Sequence, residues 1–541
     1  MAEENKVEKE MQAEQSGTTV YSYHTFMFPF LFEMNKTTRA KFRKCCHGGW
    51  FADKWDPQKM NDSVWYNQYH YFNKAAHNAI YMTENDKEDD EATAVTNLRF
   101  DLLSLMEQTP KANPEREKNR DKNAGNPIKY VICKGEKTYA VDINAIRMKL
   151  YNTGVGILIF ELENRRYPSE QEVIEINDFG RRIYAPYYAY YNDRMNCSIC
   201  ADRIYFRIDG KDMDAEASTL LPESLMESAE ATVLAEPILR LLSNDEYRVT
   251  TKEKCAKNEI CIEPVIDDRM FVACYYKNAD FVDTMREWDG EHYRYMTHAK
   301  EKAPFDNEDQ QNAANRLYTM MYVDGDGMCC HSRRMLEDLL SDDHIYTRWL
   351  EYYNSYDKEF QGSITGFSEY TMITVAKKPA DYLITPFLTQ YVEMAILALV
   401  QRASLLSFEY MISECAKGGN YEVEDIQKKY ILFQSQILLK EVSPQQQGIE
   451  IYDMLEKNLM IEKEQNEIKT QIEDLFTQKN FEHDHKENGI LFLLSLLSIV
   501  EAVDAIGSIC VEENFIPIGI IKFAVAGIAG LIAYVKYKMK K

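Results

Sequence analysis

The chain has 541 residues, 45% of them hydrophobic and 12% aromatic. It can therefore bury a large core, and disorder of the whole chain is excluded. Its formal charge of −24 argues against a nucleic-acid backbone as the main partner, because phosphate binding needs clustered Lys and Arg.

Twelve cysteines form no regular framework, and the stretch Met1 to Gly17 is polar and acidic rather than a signal peptide. The expectation is reduced thiols and a cytoplasmic soluble part. Residues 1–18 read as a disordered acidic tail. A β-rich aromatic stretch follows, Thr25-Phe26-Met27-Phe28-Pro29-Phe30, and residues 62–82 are aromatic and helical in pattern. The acidic run from Glu84 to Glu91 and the proline-rich stretch 107–127 are loops.

From Lys129 the pattern predicts an α/β domain, a mixed sheet flanked by helices, over residues 19–378. Tyr130 to Ile143 reads as a hairpin turning at Gly135, and Gly154 to Leu162 as a buried strand. Ser169 is placed to cap a helix running to about Arg182. Further strands are predicted at Ile204–Ile208, Ile260–Tyr276, Leu317–Val323 and Ser363–Ala376, with helices near 220–242 and 331–341.

Residues 379–488 read as a helical stalk. Thr385 to Glu414 and Tyr421 to Glu441 carry helical spacing. Ser443, Pro444 and Gln446 have the order of a helix start, with Ser443 as N-cap and Gln446 completing a capping box. No proline or glycine interrupts Ile449 to Asn488, so one helix of about 60 Å is predicted there.

Residues 489–541 read as a transmembrane hairpin with a basic tail. Gly489–Val511 and Pro517–Val535 are each apolar and long enough to cross about 30 Å of hydrocarbon. Lys536, Lys538, Lys540 and Lys541 follow, which puts this end and the soluble domain in the cytoplasm of a plasma membrane. The link between the spans carries Glu512 and Glu513, an acidic loop on the outer side. Glu501 and Asp504 interrupt the first span one helical turn apart, and Lys522 interrupts the second. Acids at this depth face a bundle interior or water, and in a ring of subunits they would select cations. Asp504 can instead pair with Lys522, which the tight hairpin brings to similar depth.

A large cytoplasmic α/β domain, a long helix entering a first span, a short outer link, a second span and a lysine tail resemble the CorA-like family of divalent-cation channels. The resemblance covers residues from about 385 to 541, and the earlier region more loosely. It implies a homo-oligomer, typically a pentamer, with the first span lining a pore and a divalent cation as the permeant ion. The family's Gly-Met-Asn motif is absent; Gly507-Ser508-Ile509-Cys510 stands there. That departure and the enlarged domain, including Ile176 to Tyr184, look more like the divergent CorA-like proteins encoded beside type III CRISPR systems. Membership would imply an antiviral defence effector opened by a nucleotide second messenger made from S-adenosylmethionine and ATP (SAM-AMP).

Among other motifs, Cys197-Ser198-Ile199-Cys200 has half of a zinc spacing with no second half. Asp324-Gly325-Asp326-Gly327 lacks the sixth and twelfth residues of a calcium loop and reads as a tight turn after a strand. Arg181 and Arg182 follow Gly180 at a helix end. They could hold a phosphate or simply complement the helix dipole. No permanently bound cofactor or metal is predicted, and no catalytic constellation is visible. The rival to a channel is a membrane-tethered binding or scaffold protein without a pore.

Overall fold

The computed structural model describes residues 19–479, except for internal stretches of which the longest are 119–126, 221–232, 287–307, 325–331 and 351–360. The predicted hairpin, with Glu501, Asp504, Glu512, Glu513 and Lys522, lies outside the described residues. The core is a mixed 13-stranded sheet with helices on both faces, followed by further helices.

In chain order the strands are β1 (Ser22–Leu31), β2 (Trp50–Ala52), β3 (Val95–Phe100), β4 (Ile128–Lys134), β5 (Lys137–Tyr151), β6 (Val155–Asn164) and β7 (Arg203–Ile208). They continue with β8 (Lys211–Asp212), β9 (Glu263–Pro264), β10 (Phe271–Lys277), β11 (Ile345–Leu350), β12 (Gln361–Phe367) and β13 (Thr371–Ala376). The main path runs β8-β7-β4-β5-β6-β1-β10-β13-β12-β11, with β2, β3 and β9 attached to its side. Pairing is antiparallel except between β10 and β13. The predicted hairpin turns at Gly135, whose φ of 57° suits a residue without Cβ.

The helices named below are α1 (Arg39–Cys45), α2 (Ser63–Tyr71), α3 (Lys74–Ile80), α4 (Glu170–Gly180), α5 (Glu236–Leu242), α6 (Glu308–Tyr322), α7 (Val392–Ala416), α8 (Val423–Gln436) and α9 (Gln446–Asn458). Ser169 caps α4 with a complete capping box through Glu172, and the helix ends at Gly180.

Strand alternation sorts the two faces of the sheet. Phe26, Phe28 and Phe30 of β1, Leu158, Phe160 and Leu162 of β6, and Met148 and Leu150 of β5 share one apolar core. Helices α4, α5 and α6 cover this face through β4, β7 and β13. The opposite face of β1 and β6 is covered by α7, which also packs on α3 and α9.

Helix α7 is the C-terminal part of a helical segment, Ile384–Ala416, and this is the one helix among the described residues long and apolar enough to cross a membrane. Of its most apolar window, 72% is buried inside the fold. A helix that is apolar all round suits a large protein core as well as a bilayer, and here it lies on the sheet.

Three predicted elements differ. Leu317–Val323 is not a strand but the end of α6. Locally the run is rich in aromatic and unbranched apolar residues, yet Ala314, Leu317 and Met321 recur at helical spacing and are all fully buried. Ile260–Tyr276 is broken into short pieces before β10.

The third is the long stalk helix. Helix α9 starts at Gln446 with Gln445 as its N-cap, and Ser443 instead donates its hydroxyl to the Tyr71 carbonyl at 2.6 Å. The helix stops at Asn458, Met460 takes a left-handed φ of 54°, and residues 461–479 are helical again. Leu459 and Ile461 are both buried. A continuous helix would point them roughly 200° apart at about 100° per residue, so the break is what lets both enter the core.

The chain divides into two compact units, one holding residues up to Tyr421 and Asp425–Ile468, the other Glu422–Glu424 and the residues from Lys469 on. In the second, Lys479 pairs with Glu424 at 2.5 Å and with Glu422 at 3.5 Å.

Candidate functional site

The face of the sheet under α7 is not apolar along its whole length. On β5, Arg147 and Lys149 are two apart and project from the same side as Glu161 and Glu163 of β6 and Asn97 and Arg99 of β3. The register places Arg99 opposite Arg147 and Asn97 opposite Lys149. Strand β5 is bulged at Asn144, between Ile143 and Ala145. A bulge re-aims the side chains that follow it, and here it precedes the two cations.

These charges are tied to the helix above them. Arg147 Nε donates to Glu161 at 2.6 Å and its Nη1 to Glu393 at 2.6 Å. Lys149 Nζ donates to the other oxygen of Glu393 at 2.7 Å and to the Ile80 carbonyl at 3.0 Å. Lys149 and Glu393 are almost fully buried. Burial alone would lower the Arg147 pKa, but the Glu161 and Glu393 carboxylates reverse this and raise it. For Lys149 burial wins over Glu393, and its pKa is lowered.

Beside this group opens a cavity of about 360 Å³, within the usual range for small-molecule sites. One wall is aromatic. Trp55 stacks on Tyr69 with centroids 4.9 Å apart and planes 17° apart, and packs against Tyr81 at 4.6 Å and Trp65 at 5.4 Å. The other walls carry the cations Lys54, Arg99, Arg147 and Lys149, the carboxylates Asp53, Glu161, Glu163 and Glu393, and the amides Gln68 and Asn97.

Several polar groups on these walls are unsatisfied. The Tyr81 hydroxyl and Asn97 Oδ1 are buried and have no hydrogen-bond partner among the described residues. The Arg99 guanidinium likewise has no partner among them. Lys54 Nζ reaches only the Glu84 and Asp86 carbonyls, at 3.1 and 3.5 Å. Buried polar atoms in folded proteins are normally paired. Tyr81, Asn97 and Arg99 all line this cavity, where a polar ligand would satisfy them.

The cavity thus offers a stacking surface, an uncommitted guanidinium and both hydrogen-bond donors and acceptors. This suits a flat ring bearing an anionic group.

Arg181 and Arg182 lie elsewhere, buried at the end of α4. Arg181 donates to Asp178 at 3.3 Å and to the Val323 carbonyl at 3.3 Å, and Arg182 to Asp268 at 2.7 Å. Neither lines the cavity. Cys197 and Cys200 are buried in the apolar core, and the described residues hold no group of three or more metal-ligating side chains. Asp324 follows helix α6, not a strand. Cys255 and Cys261 are joined by a disulfide.

Sequence reading passed over the cavity because its walls come from distant segments with no shared motif. Two signals were present: two cations at i and i+2 in the largely apolar end of β5, Ala145–Tyr151, and Glu393 ahead of the apolar run Met394–Val400 of α7. No protein-family model matches the chain, and no curated protein does either.

Proposed function

We propose that this chain is a CorA-like, homo-oligomeric cation channel whose cytoplasmic α/β domain is a receptor for a small nucleotide-type ligand. The single observation that supports the receptor half is the juxtaposition of Arg99 with Arg147 across the β3–β5 pair, at the floor of an aromatic-walled cavity. Arg147 already has Glu161 and Glu393 as counter-ions, so Arg99 is the cation of this pair that an added anionic group would neutralise. A base or similar ring would stack on the Trp55 side, where aromatic surfaces contribute about 1–3 kcal/mol per base.

The channel half rests on the sequence of residues 489–541. Two spans per chain are too few to enclose a water-filled path, so several copies would surround one axis. The first spans would then place Glu501 as an acidic ring facing the permeant cation, with Asp504 either beside it or paired with Lys522. In antiviral defence a soluble messenger binding the cavity would open such a pore. A membrane-tethered receptor without a pore is the alternative, and it shares the cavity but not the flux.

Ligand binding is tested with adenosine 5′-monophosphate on the full chain in detergent, read by tryptophan fluorescence because Trp55 and Trp65 line the cavity. Saturable quenching that weakens at least about tenfold in Arg99→Ala is expected, as for loss of a charge-assisted contact. Absence of saturable quenching would remove the receptor reading.

A further inference from the structure

We propose that Glu393 is an internal competitor for the anionic part of the ligand, so that binding releases the start of helix α7 from the sheet. This rests on the receptor reading of the same cavity and adds how occupancy would be transmitted.

Three observations carry it. First, Glu393 occupies the one place where a carboxylate touches both Arg147 and Lys149, each at 2.6–2.7 Å. Those two cations line the cavity together with Lys54 and with Arg99, which has no partner among the described residues. A ligand phosphate that satisfies Arg99 comes beside Arg147 and contends with Glu393 for it.

Second, Glu393 sits in the first turn of α7, immediately after a π-turn over Phe387–Tyr391. A single π-turn inside an α-helix is a register irregularity that often marks a functional position. The same segment lines the cavity through Thr385, Leu388 and Thr389. The residues that would feel a ligand are therefore those whose helical register is already irregular.

Third, the Tyr81 hydroxyl, buried and without a partner among the described residues, is near enough to Glu393 for the carboxylate to raise its pKa after burial has done so. In the empty cavity this donor is unused. A displaced Glu393 side chain or the ligand itself would be its acceptor.

The mechanism is a population shift between two counter-ions for one pair of cations. With the cavity empty, Glu393 holds α7 down. With an anion bound, the anion neutralises Arg99 and takes the Nη1 side of Arg147, whose Nε stays on Glu161; Glu393 keeps only Lys149, and the segment at 384–393 loosens.

The test is hydrogen exchange of the full wild-type chain, with and without saturating adenosine 5′-monophosphate, followed at the backbone amides of residues 384–393. Faster exchange in this segment with ligand bound supports the proposal; unchanged or slower exchange, with binding verified by fluorescence, overturns it while leaving the receptor reading intact. No binding at all would remove both together. Glu393→Gln supplies the second arm, since it removes the competitor but keeps shape and hydrogen bonding. It should bind adenosine 5′-monophosphate about tenfold more tightly than wild type, within the usual span of a coupling free energy. Equal or weaker binding by the folded variant would also overturn the proposal.

Discussion

Lys149 Nζ lies 2.7 Å from Glu393 Oε2, joining the middle of the sheet to the first turn of α7 across 244 positions of sequence. Both side chains are almost completely shielded from water. A buried pair of this kind adds little net stability over an apolar pair, but breaking it leaves a charge uncompensated.

Glu393→Leu is therefore expected to destabilise the unit that holds the sheet by about 3–5 kcal/mol, because Lys149 is left with only a carbonyl. Adding Lys149→Met should recover part of that loss, giving a coupling of about 1–3 kcal/mol in the double-mutant cycle. Chemical denaturation of the four proteins measures it. Strictly additive losses would mean that the two residues do not act as a pair.

The pH response of stability is set in part by His24. It is fully buried between Ser22 and Asn177, with Nδ1 2.6 Å from Asn177 Oδ1. Burial pushes its pKa from 6.5 down to about 4, the Asn177 bond opposing this. The folded pKa is the lower one, so the unfolded chain takes up the proton first. Stability is then complete above about pH 6.5 and is lost as pH falls towards about 4, by roughly 3 kcal/mol in total. His47, lowered to about 4 by burial and then by Arg240, titrates in the same window. His24→Gln should therefore shrink, not abolish, the drop in denaturation midpoint between about pH 7.5 and about pH 5. An unaltered drop would show that His24 is not held neutral.

Much of the sheet was legible because its chemistry is local. The Gly135 turn, the Ser169 capping box and the apolar run into β6 each announce themselves within a few residues. Residues of α6 misread as strand show the limit: the aromatic run at 317–323 satisfies a strand pattern unless the alanines before it are counted. The interruption at Met460 carries no glycine or proline and follows from the burial of Leu459 and Ile461 together, a tertiary demand. The cavity is invisible for the same reason, since only the β3–β5 register brings Arg99 beside Arg147.

Met460 provides a test of that tertiary demand. A left-handed backbone costs a non-glycine residue roughly 1–2 kcal/mol. Met460→Gly should then raise stability by up to about 1 kcal/mol after the added unfolded-state entropy of glycine is subtracted, whereas Met460→Val should lower it. Thermal unfolding of the two variants measures this. Stabilisation by valine would mean that the helix runs through this point unbroken.

Under the proposed function, occupancy of the cavity controls cation passage through a membrane hairpin formed by residues 489–541. The most direct measurement is cation flux into lipid vesicles carrying the purified full chain, before and after addition of adenosine 5′-monophosphate. The account predicts flux that rises with ligand, that fails to rise in Arg99→Ala, and that falls or loses its preference for cations in Glu501→Gln while oligomer assembly is retained. A chain that binds the ligand through Arg99 yet conducts nothing in any of these proteins would contradict it, leaving a membrane-tethered receptor without a pore.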